Sequence, residues 1–283
     1  MMPKLRLSLM SLLLLMLPLQ LQATDLYDVW QQASSKRYMA MTAAEYEEAV
    51  HLFSLTLQAD SLLRLPQQWQ QLGFDLKQQG QWMILTEIKA QGRGLFIFCP
   101  TCKTDVVLQA PHAFRDLHTG KLALLLVQNR SFKALALNTL PRNEGADTAH
   151  FKRNYQTAFA AAVVQTVPVA QLVQLHGFSN SKRKTEVGKS AEIILSNGHR
   201  LPNRDLAQLA YCLRSAGIDN TYLFPQQVSE LGGTGNAQAK QLRQLGSDRF
   251  VHFEMNYELR KRAVNEPETL YRLAHCLLEG VKR

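Results

Sequence analysis

The chain lacks the local signatures of several common enzyme classes. No Gly-x-Ser-x-Gly motif occurs among its 283 residues, which disfavours a serine hydrolase of the α/β type. The glycine-rich segment 231–236 has neither the lysine of a phosphate-binding loop nor the spacing of a dinucleotide-binding fingerprint. We therefore interpret it as a loop beside a ligand crevice. Neither internal repeats nor low-complexity linkers are present.

Long apolar runs are also scarce, and the one at residues 7–19 stands close to the N-terminus. It follows Lys4 and Arg6 and precedes the small residue Ala23, an arrangement typical of a secretory signal peptide spanning 1–23. The run is short for a transmembrane helix, and no cysteine follows it to carry a lipid anchor. We expect a periplasmic or secreted protein without a stable membrane span after signal cleavage.

Cysteine is rare as well, with four in the chain. Cys99 and Cys102 form a C-x-x-C pair between two predicted strands. In an oxidising compartment this spacing favours a short structural disulfide over metal binding or redox catalysis. Cys212 and Cys276 lie in apolar helical patterns, which predicts buried small hydrophobic residues.

The charge pattern favours anionic partners other than nucleic acid. The formal net charge is +9, which falls to +7 when the predicted signal peptide is removed. Basic residues are scattered except at 182–184 and 260–262, and neither cluster alternates with aromatic residues as a nucleic-acid stacking surface would. An apolar content of 46% with 19% charged residues is typical of a globular protein.

The order of predicted elements indicates an α/β fold. Residues 24–75 are rich in Gln, Leu and Ala and predict a helical N-terminal extension with a capping box at Thr42. From residue 76 to residue 283, short apolar strands alternate with helical patterns, beginning with a hairpin. This predicts one α/β domain with a mixed, largely parallel sheet and helices on both faces. An alanine-rich helix is predicted over 147–166, with Asp147 as its N-cap.

Three apolar runs each carry a metal-capable or acid-base side chain at or just after their ends. These side chains are His112, His176 and Glu254. In open α/β sheets, ligands and reacting groups gather in the crevice outside the carboxyl ends of the strands. The three side chains are therefore expected to meet at one edge of the sheet.

Their chemical types predict a mononuclear zinc hydrolase. His112 and Asp116 form an H-x-x-x-D pair on a loop, and with His176 they supply the three protein ligands that catalytic zinc requires. His118 is an alternative ligand. Glu254 is the expected general base. The competing interpretation is an ordinary hydrogen-bonded loop histidine with a helix-capping aspartate.

This order of residues resembles the zinc-carboxypeptidase clan. The resemblance is to its small amidohydrolase branches, which include poly-gamma-glutamate hydrolases, N-formylglutamate amidohydrolases and the succinylglutamate desuccinylase/aspartoacylase group. The segment 111–120 is closer in layout to the gamma-glutamate hydrolase variant, in which the carboxylate lies further from the histidine. The resemblance implies a zinc exopeptidase-like, mixed eight-stranded sheet with zinc on His112 and His176 and Glu254 as catalytic glutamate. It also implies a substrate-binding arginine, for which Arg142 and Arg260 are both candidates. Asp116 departs from the clan's usual His-x-x-Glu pair.

The sequence thus predicts an exported, zinc-dependent amidohydrolase or carboxypeptidase-like hydrolase. Its expected substrate is a small peptide or acylated amino acid with an amide bond next to a carboxylate, such as a gamma-glutamyl or cell-wall peptide. The alternative is a non-catalytic metal- or ligand-binding protein that retains the fold. A third hypothesis, a disulfide oxidoreductase acting through Cys99 and Cys102, requires an exposed Cys99 and a helix beginning at Cys102.

Overall fold

The computed structural model of the protein describes residues 25–35, 37–59, 63–140, 152–201 and 203–280. The predicted signal peptide, Arg142 and Asp147 lie outside the described residues. The strands are β1 (Phe74–Gln79), β2 (Trp82–Glu87), β3 (Leu95–Phe98), β4 (Val106–Ala110), β5 (Ala134–Leu137), β6 (Gln171–Phe178), β7 (Ile193–Ser196), β8 (Thr221–Leu223) and β9 (Phe250–Asn256).

Ten α-helices accompany the strands within the described residues. They are α1 (Leu26–Gln32), α2 (Ala43–Gln58), α3 (Leu65–Gln71), α4 (Thr119–Asn129), α5 (Tyr155–Thr166), α6 (Glu186–Ser190), α7 (Arg204–Ser215), α8 (Ala237–Gln244), α9 (Tyr257–Asn265) and α10 (Pro267–Glu279). None of these helices is both long enough and apolar enough to span a bilayer.

The strands form one mixed sheet in the order β1-β2-β3-β5-β4-β6-β9-β7-β8. The central strands β5, β4, β6 and β9 are parallel, and β1, β2 and β3 extend one edge through antiparallel pairings. On the other side β7 pairs antiparallel with β9 and parallel with β8. The predicted mixed α/β fold and its hairpin, β2 with β3, are confirmed. Within the described residues the sheet has nine strands, whereas the resemblance implied eight.

Two apolar layers cover the two faces of the sheet. Alternation along β4 sends Val106 and Leu108 into one layer and Val107 into the other. The first layer contains residues of α1, α4, α7, α9 and α10, and the second contains residues of α2, α3, α5 and α8. The predicted helices on both faces are therefore present, and the helices before residue 75 pack into these same layers.

Helix boundaries follow local capping chemistry. The predicted capping box is present at the start of α2, where Thr42 and Glu45 exchange hydrogen bonds. Helix α5 begins at Tyr155 and is capped by Asn154, so residues 152–154 of the predicted alanine-rich helix are not helical. Helix α9 follows β9 without a loop and was not predicted. Asn256 at the end of β9 caps it.

Two disulfides are present, one of which was not predicted from the sequence. Cys99 is bonded to Cys102, as the spacing predicted. Cys212 and Cys276 were predicted as buried small hydrophobic residues, but they are bonded to each other and join α7 to α10. The prediction failed because helical periodicity locates the buried face of each helix but does not show which two helices pack together.

The oxidoreductase hypothesis does not fit the geometry around Cys99. The Cys99 side chain is fully buried, and the chain continues from Cys102 towards β4 without a helix. A reactive cysteine of this type needs an accessible sulfur whose thiolate is stabilised at a helix N-terminus. We therefore regard the Cys99–Cys102 bond as structural.

The two disulfides should differ in how strongly they stabilise the fold. The Cys212–Cys276 bond closes a segment with a sequence separation of 64, against 3 for Cys99–Cys102. Chain entropy then predicts contributions of roughly 4 and 2 kcal/mol. In urea denaturation, Cys212→Ala/Cys276→Ala should lower the free energy of unfolding about 2 kcal/mol more than Cys99→Ala/Cys102→Ala. Equal losses would contradict the entropic explanation.

A buried ion pair anchors the connection between β2 and β3. Arg93 Nε lies 2.6 Å from Glu87 Oε1, and the two side chains are 6% and 0% exposed. The Arg93 guanidinium also donates to the carbonyl oxygens of Leu72 and Gly73 and lies over the Phe74 ring. Arg93 therefore ties the end of α3 and the start of β1 to the hairpin connection.

Candidate metal centre

Three neighbouring strands bring the predicted residues together. His112 and Asp116 lie in the turn after β4, where Asp116 N donates to His112 O at 2.9 Å and so turns both side chains to one side. His176 in β6 is the register partner of Glu254 in β9. Because β4, β6 and β9 are adjacent and parallel, these residues meet at their carboxyl ends.

The three predicted ligands converge within bonding distance of a common point. His112 Nδ1 and His176 Nδ1 are 3.2 Å apart, and Asp116 Oδ2 lies 3.6 Å from the first and 3.8 Å from the second. Ligand atoms held about 2.0–2.1 Å from a tetrahedral zinc ion lie about 3.3 Å from each other. All three side chains are buried or nearly so. Among the described residues, two groups of side chains could hold a metal ion: one is His112, Asp116 and His176, and the other is His176, His252 and Glu254. His118, the alternative ligand, belongs to neither group.

Asp116 is held as a carboxylate. Burial alone would oppose its ionisation, but the adjacent imidazoles of His112 and His176 outweigh burial and hold the pKa of Asp116 well below its usual range. The backbone N–H of Gly177 donates to Asp116 Oδ2 at 3.0 Å. The turn after β4 is thereby linked to β6 through the side chain that carries the negative charge.

Glu254 lies beside this cluster without a hydrogen-bonded partner for one oxygen. Its Oε2 is buried and unpaired within the part of the chain that the structure describes. Burial, and then the charge of Asp116, raises the pKa of Glu254 to about 8. An unpaired buried carboxyl oxygen is unfavourable in an isolated fold and suits a group that engages an ion, water or substrate.

His252 belongs to the same site, although the sequence assigned it no role. Its Nε2 lies 3.8 Å from Glu254 Oε1, and its ring centre is 4.4 Å from that of His176. Burial, and then the charges of His176 and His112, lowers the pKa of His252 well below its usual value. Its two-residue spacing from Glu254 was the available signal, since both side chains then point to one face.

Arg260 supplies a buried cation next to the ligands. Its Nε donates to Leu117 O at 2.8 Å and its Nη1 to Met255 O at 2.6 Å, so the guanidinium is fixed in place. A Cβ on Gly177 would overlap this guanidinium, so glycine is required there for the close approach. The structure thus places Arg260 in the site, whereas Arg142 lies outside the described residues.

The cluster lines a cavity of about 640 Å³. Its lining includes the basic side chains of Arg115, Lys182 and Arg183, in addition to Arg260. Glu230 accepts hydrogen bonds from Lys184 N and from Thr185 N and Oγ1, which joins the loop after β6 to the glycine-rich loop. Gly233 and Asn236 of that loop also line the cavity, so the predicted loop beside the crevice is observed.

The N-terminal helix α1 packs on the turn that carries the ligands. The Trp30 ring stacks on Phe114 at a centroid distance of 4.3 Å, and Trp30 Nε1 donates to Asn138 O at 3.0 Å. Gly120 leaves the space that the Trp30 ring occupies. Helix α1 contributes no acid-base residue to the site, but this contact packs it against the segment between His112 and Asp116.

Fold and site together define a class: a mixed α/β sheet with a His-Asp-His cluster and a separate glutamate at its carboxyl edge. No protein-family model matches the chain. Among solved structures, it is similar to N-formylglutamate amidohydrolase from Ralstonia eutropha JMP134, with 15% identity, a TM-score of 0.42, and coverage of 62% of this chain and 92% of that one. A bacteriophage poly-gamma-glutamate hydrolase gives 14% identity, a TM-score of 0.39, and coverage of 62% and 82%.

The chain is also similar to a desuccinylase structure and, over a short stretch, to a hydrogenase maturation factor. Succinylglutamate desuccinylase from Vibrio parahaemolyticus gives 10% identity, a TM-score of 0.38, and coverage of 74% of this chain and 76% of that one. These solved structures come from the groups that the order of residues resembles. In sequence, a 66-residue stretch is 30% identical to the hydrogenase maturation factor HypA of Chloroflexus aggregans, which covers 23% of this chain and 58% of that protein.

Proposed function

We propose that this chain is an exported zinc-dependent hydrolase that cleaves an amide bond next to a carboxylate. The proposed substrates are small peptides or acylated amino acids, of gamma-glutamyl or cell-wall peptide type. The observation that supports the proposal most is the convergence of His112 Nδ1, His176 Nδ1 and Asp116 Oδ2, with separations of 3.2 to 3.8 Å, in a cavity that also contains Glu254 and Arg260.

The residues present fit a zinc ion. Two imidazole nitrogens and one carboxylate oxygen form a donor set typical of catalytic zinc, which keeps one position open. Glu254, whose Oε2 is buried and unpaired among the described residues, lines the same cavity and is not needed as a ligand in this set. When bound, zinc supplies a Lewis acid that polarises the scissile carbonyl and acidifies water.

The side chains around the cluster would carry the proton transfers and the substrate contacts. Glu254 would accept a proton from the attacking water and deliver it to the leaving amine. Arg260 makes two hydrogen bonds to backbone carbonyls through Nε and Nη1, which leaves Nη2 to bind a substrate carboxylate or the developing oxyanion. For Arg142, the same role stays a prediction.

Two structural features support the proposed compartment and substrate charge. Both cysteine pairs are disulfide-bonded, and such bonds persist mainly in oxidising, extracytoplasmic environments. The basic side chains Arg115, Lys182 and Arg183 in the cavity lining would attract an anionic substrate towards the cluster.

Metal content tests the proposed centre directly. The wild-type protein, loaded with Zn²⁺ and passed over a desalting column, should retain about one zinc per chain by elemental analysis. The double variant His112→Ala/His176→Ala should retain only a trace, because it keeps one ligand of the three. The assay needs no knowledge of the substrate.

A matched double variant controls for the loss of two histidines. His51 and His275 are exposed and lie outside the cavity lining, so His51→Ala/His275→Ala should bind zinc as the wild type does. Equal zinc in the wild type and the His112/His176 variant would refute the metal centre. Stoichiometric zinc without hydrolysis of any gamma-glutamyl or N-acyl amino-acid probe would instead favour the non-catalytic alternative.

A further inference from the structure

Three buried side-chain amides, here called the amide relay, are hydrogen-bonded in series next to His176. The amide relay consists of Gln109 in β4, Gln174 in β6 and Asn236 at the start of α8, each no more than 3% exposed. His176 Nε2 lies 2.8 Å from Gln174 Oε1. His176 Nε2, the ring nitrogen that faces away from the candidate metal centre, therefore contacts the amide relay.

Backbone groups fix the orientation of the amides at both ends of the amide relay. Asn236 Oδ1 accepts from the N–H of Ala239 at 3.1 Å, so Asn236 Nδ2 faces Gln174 Oε1 and donates to it. At the other end Gln109 Nε2 donates to the carbonyl of Gln156 at 3.0 Å, so its Oε1 accepts from Gln174 Nε2 at 3.1 Å. A backbone N–H only donates and a carbonyl only accepts, so neither terminal amide can be reversed without losing a bond.

The donor-to-acceptor direction of the hydrogen bonds in the amide relay determines which nitrogen of His176 carries the proton. Gln174 Oε1 can only accept, so His176 Nε2 must donate to it. In the neutral ring Nδ1 then has the lone pair, and it points towards His112 Nδ1 and Asp116 Oδ2. We infer that Gln174 and Asn236 are positioning residues that hold His176 in the Nε2–H tautomer required for binding a metal ion through Nδ1. This inference rests on the metal centre proposed above.

The relay differs in charge from the more familiar carboxylate partner of a ligating histidine. A hydrogen-bonded partner of the second ring nitrogen orients a metal ligand, and a carboxylate in that place also adds negative charge. Here the partner is a neutral amide whose remaining bonds go to other amides. Orientation is thus provided without adding a third carboxylate beside Asp116 and Glu254.

The substitution Asn236→Asp tests the amide relay by replacing the donor Asn236 Nδ2 with an oxygen, which can only accept. Aspartate has nearly the same shape and keeps the oxygen that caps α8. Its second oxygen would face Gln174 Oε1, which favours a rotated Gln174 amide that presents Nε2 to His176. We expect the metal-free variant to shift His176 from the Nε2–H towards the Nδ1–H tautomer, read from long-range ¹H–¹⁵N imidazole NMR spectra. Its Zn²⁺ affinity, by competition with a chromophoric chelator, should fall about 10–100-fold.

Two further variants separate positioning from general damage. Asn203→Asp changes the capping residue of α7 in the same way, outside the cavity lining, and should keep the wild-type tautomer and affinity. Gln174→Met removes the acceptor and should weaken Zn²⁺ binding, whereas Gln171→Met removes another buried glutamine of β6 and should not.

The metal-free wild-type spectrum gives a result even if the variants fail to fold. An Nδ1–H tautomer of His176 in that spectrum would overturn the inference. So would an unchanged tautomer, or an unchanged Zn²⁺ affinity, in Asn236→Asp. An Nε2–H tautomer in a wild-type protein that binds no Zn²⁺ would uphold the relay's direction but refute the proposed metal centre, so the two failures are distinguishable.

Discussion

Replacing Glu254 with glutamine is expected to lower kcat about 10²–10⁴-fold while leaving the zinc content unchanged. Glutamine is nearly isosteric with glutamate but cannot accept the proton from water. The proposed metal ligands His112, Asp116 and His176 stay intact, so binding and turnover should separate. The measurement pairs elemental analysis with the rate of hydrolysis of a gamma-glutamyl or N-acyl amino-acid probe that the wild type cleaves.

A nearby exposed glutamate provides the control for this substitution. Glu258 is exposed in the first turn of α9, and Glu258→Gln makes the same chemical change outside the cavity lining. It should leave kcat within about twofold, since surface substitutions of this kind perturb the fold little. Full activity in Glu254→Gln would remove the general-base role. A joint loss of zinc and activity would indicate that Glu254 is a ligand instead.

A large loss of stability is expected from the single substitution Glu87→Leu. The substitution leaves Arg93 buried without its carboxylate and removes the acceptor of the Gln91 and Arg93 backbone N–H groups. Breaking a buried ion pair by removing one partner typically destabilises a protein by about 3–5 kcal/mol. Urea denaturation with the disulfides intact should show this as a lower midpoint.

An exposed ion pair gives the comparison. Glu186 Oε1 lies 2.6 Å from Lys189 Nζ, but the Glu186 side chain is 88% exposed. Glu186→Gln should change the free energy of unfolding by less than about 1 kcal/mol, because water and salt screen such pairs. Similar losses in the free energy of unfolding for Glu87→Leu and Glu186→Gln would mean that burial does not determine how much the Glu87–Arg93 ion pair stabilises the fold.

The parts of the site that could be predicted are those set by single strands. Apolar runs ending in His112, His176 and Glu254 located three strand ends, and the general rule for α/β sheets predicted that they would meet. The five-residue segment from His112 to Asp116 closes as one turn, so its two side chains converge through local backbone geometry. The fold class followed from the alternation of strand and helix patterns.

What could not be predicted depends on contacts between distant segments. The bond between Cys212 and Cys276 requires α7 and α10 to pack together, which helical periodicity alone does not reveal. In the sequence, Gln174 is a single polar residue within an apolar strand, and its role depends on hydrogen bonds to residues of β4 and α8 that the sequence does not reveal. Arg260 could not be chosen over Arg142 because the approach of its guanidinium to Gly177 is a tertiary contact.

The stack of Trp30 on Phe114 gives the first described helix an influence beyond its own length. Phe114 stands between His112 and Asp116, so the position of both candidate ligands depends in part on an aromatic ring more than eighty positions earlier in the sequence. A protease that clipped the chain shortly after α1 would therefore act on the ligand turn at a distance, without cutting any residue that contacts an ion or a substrate.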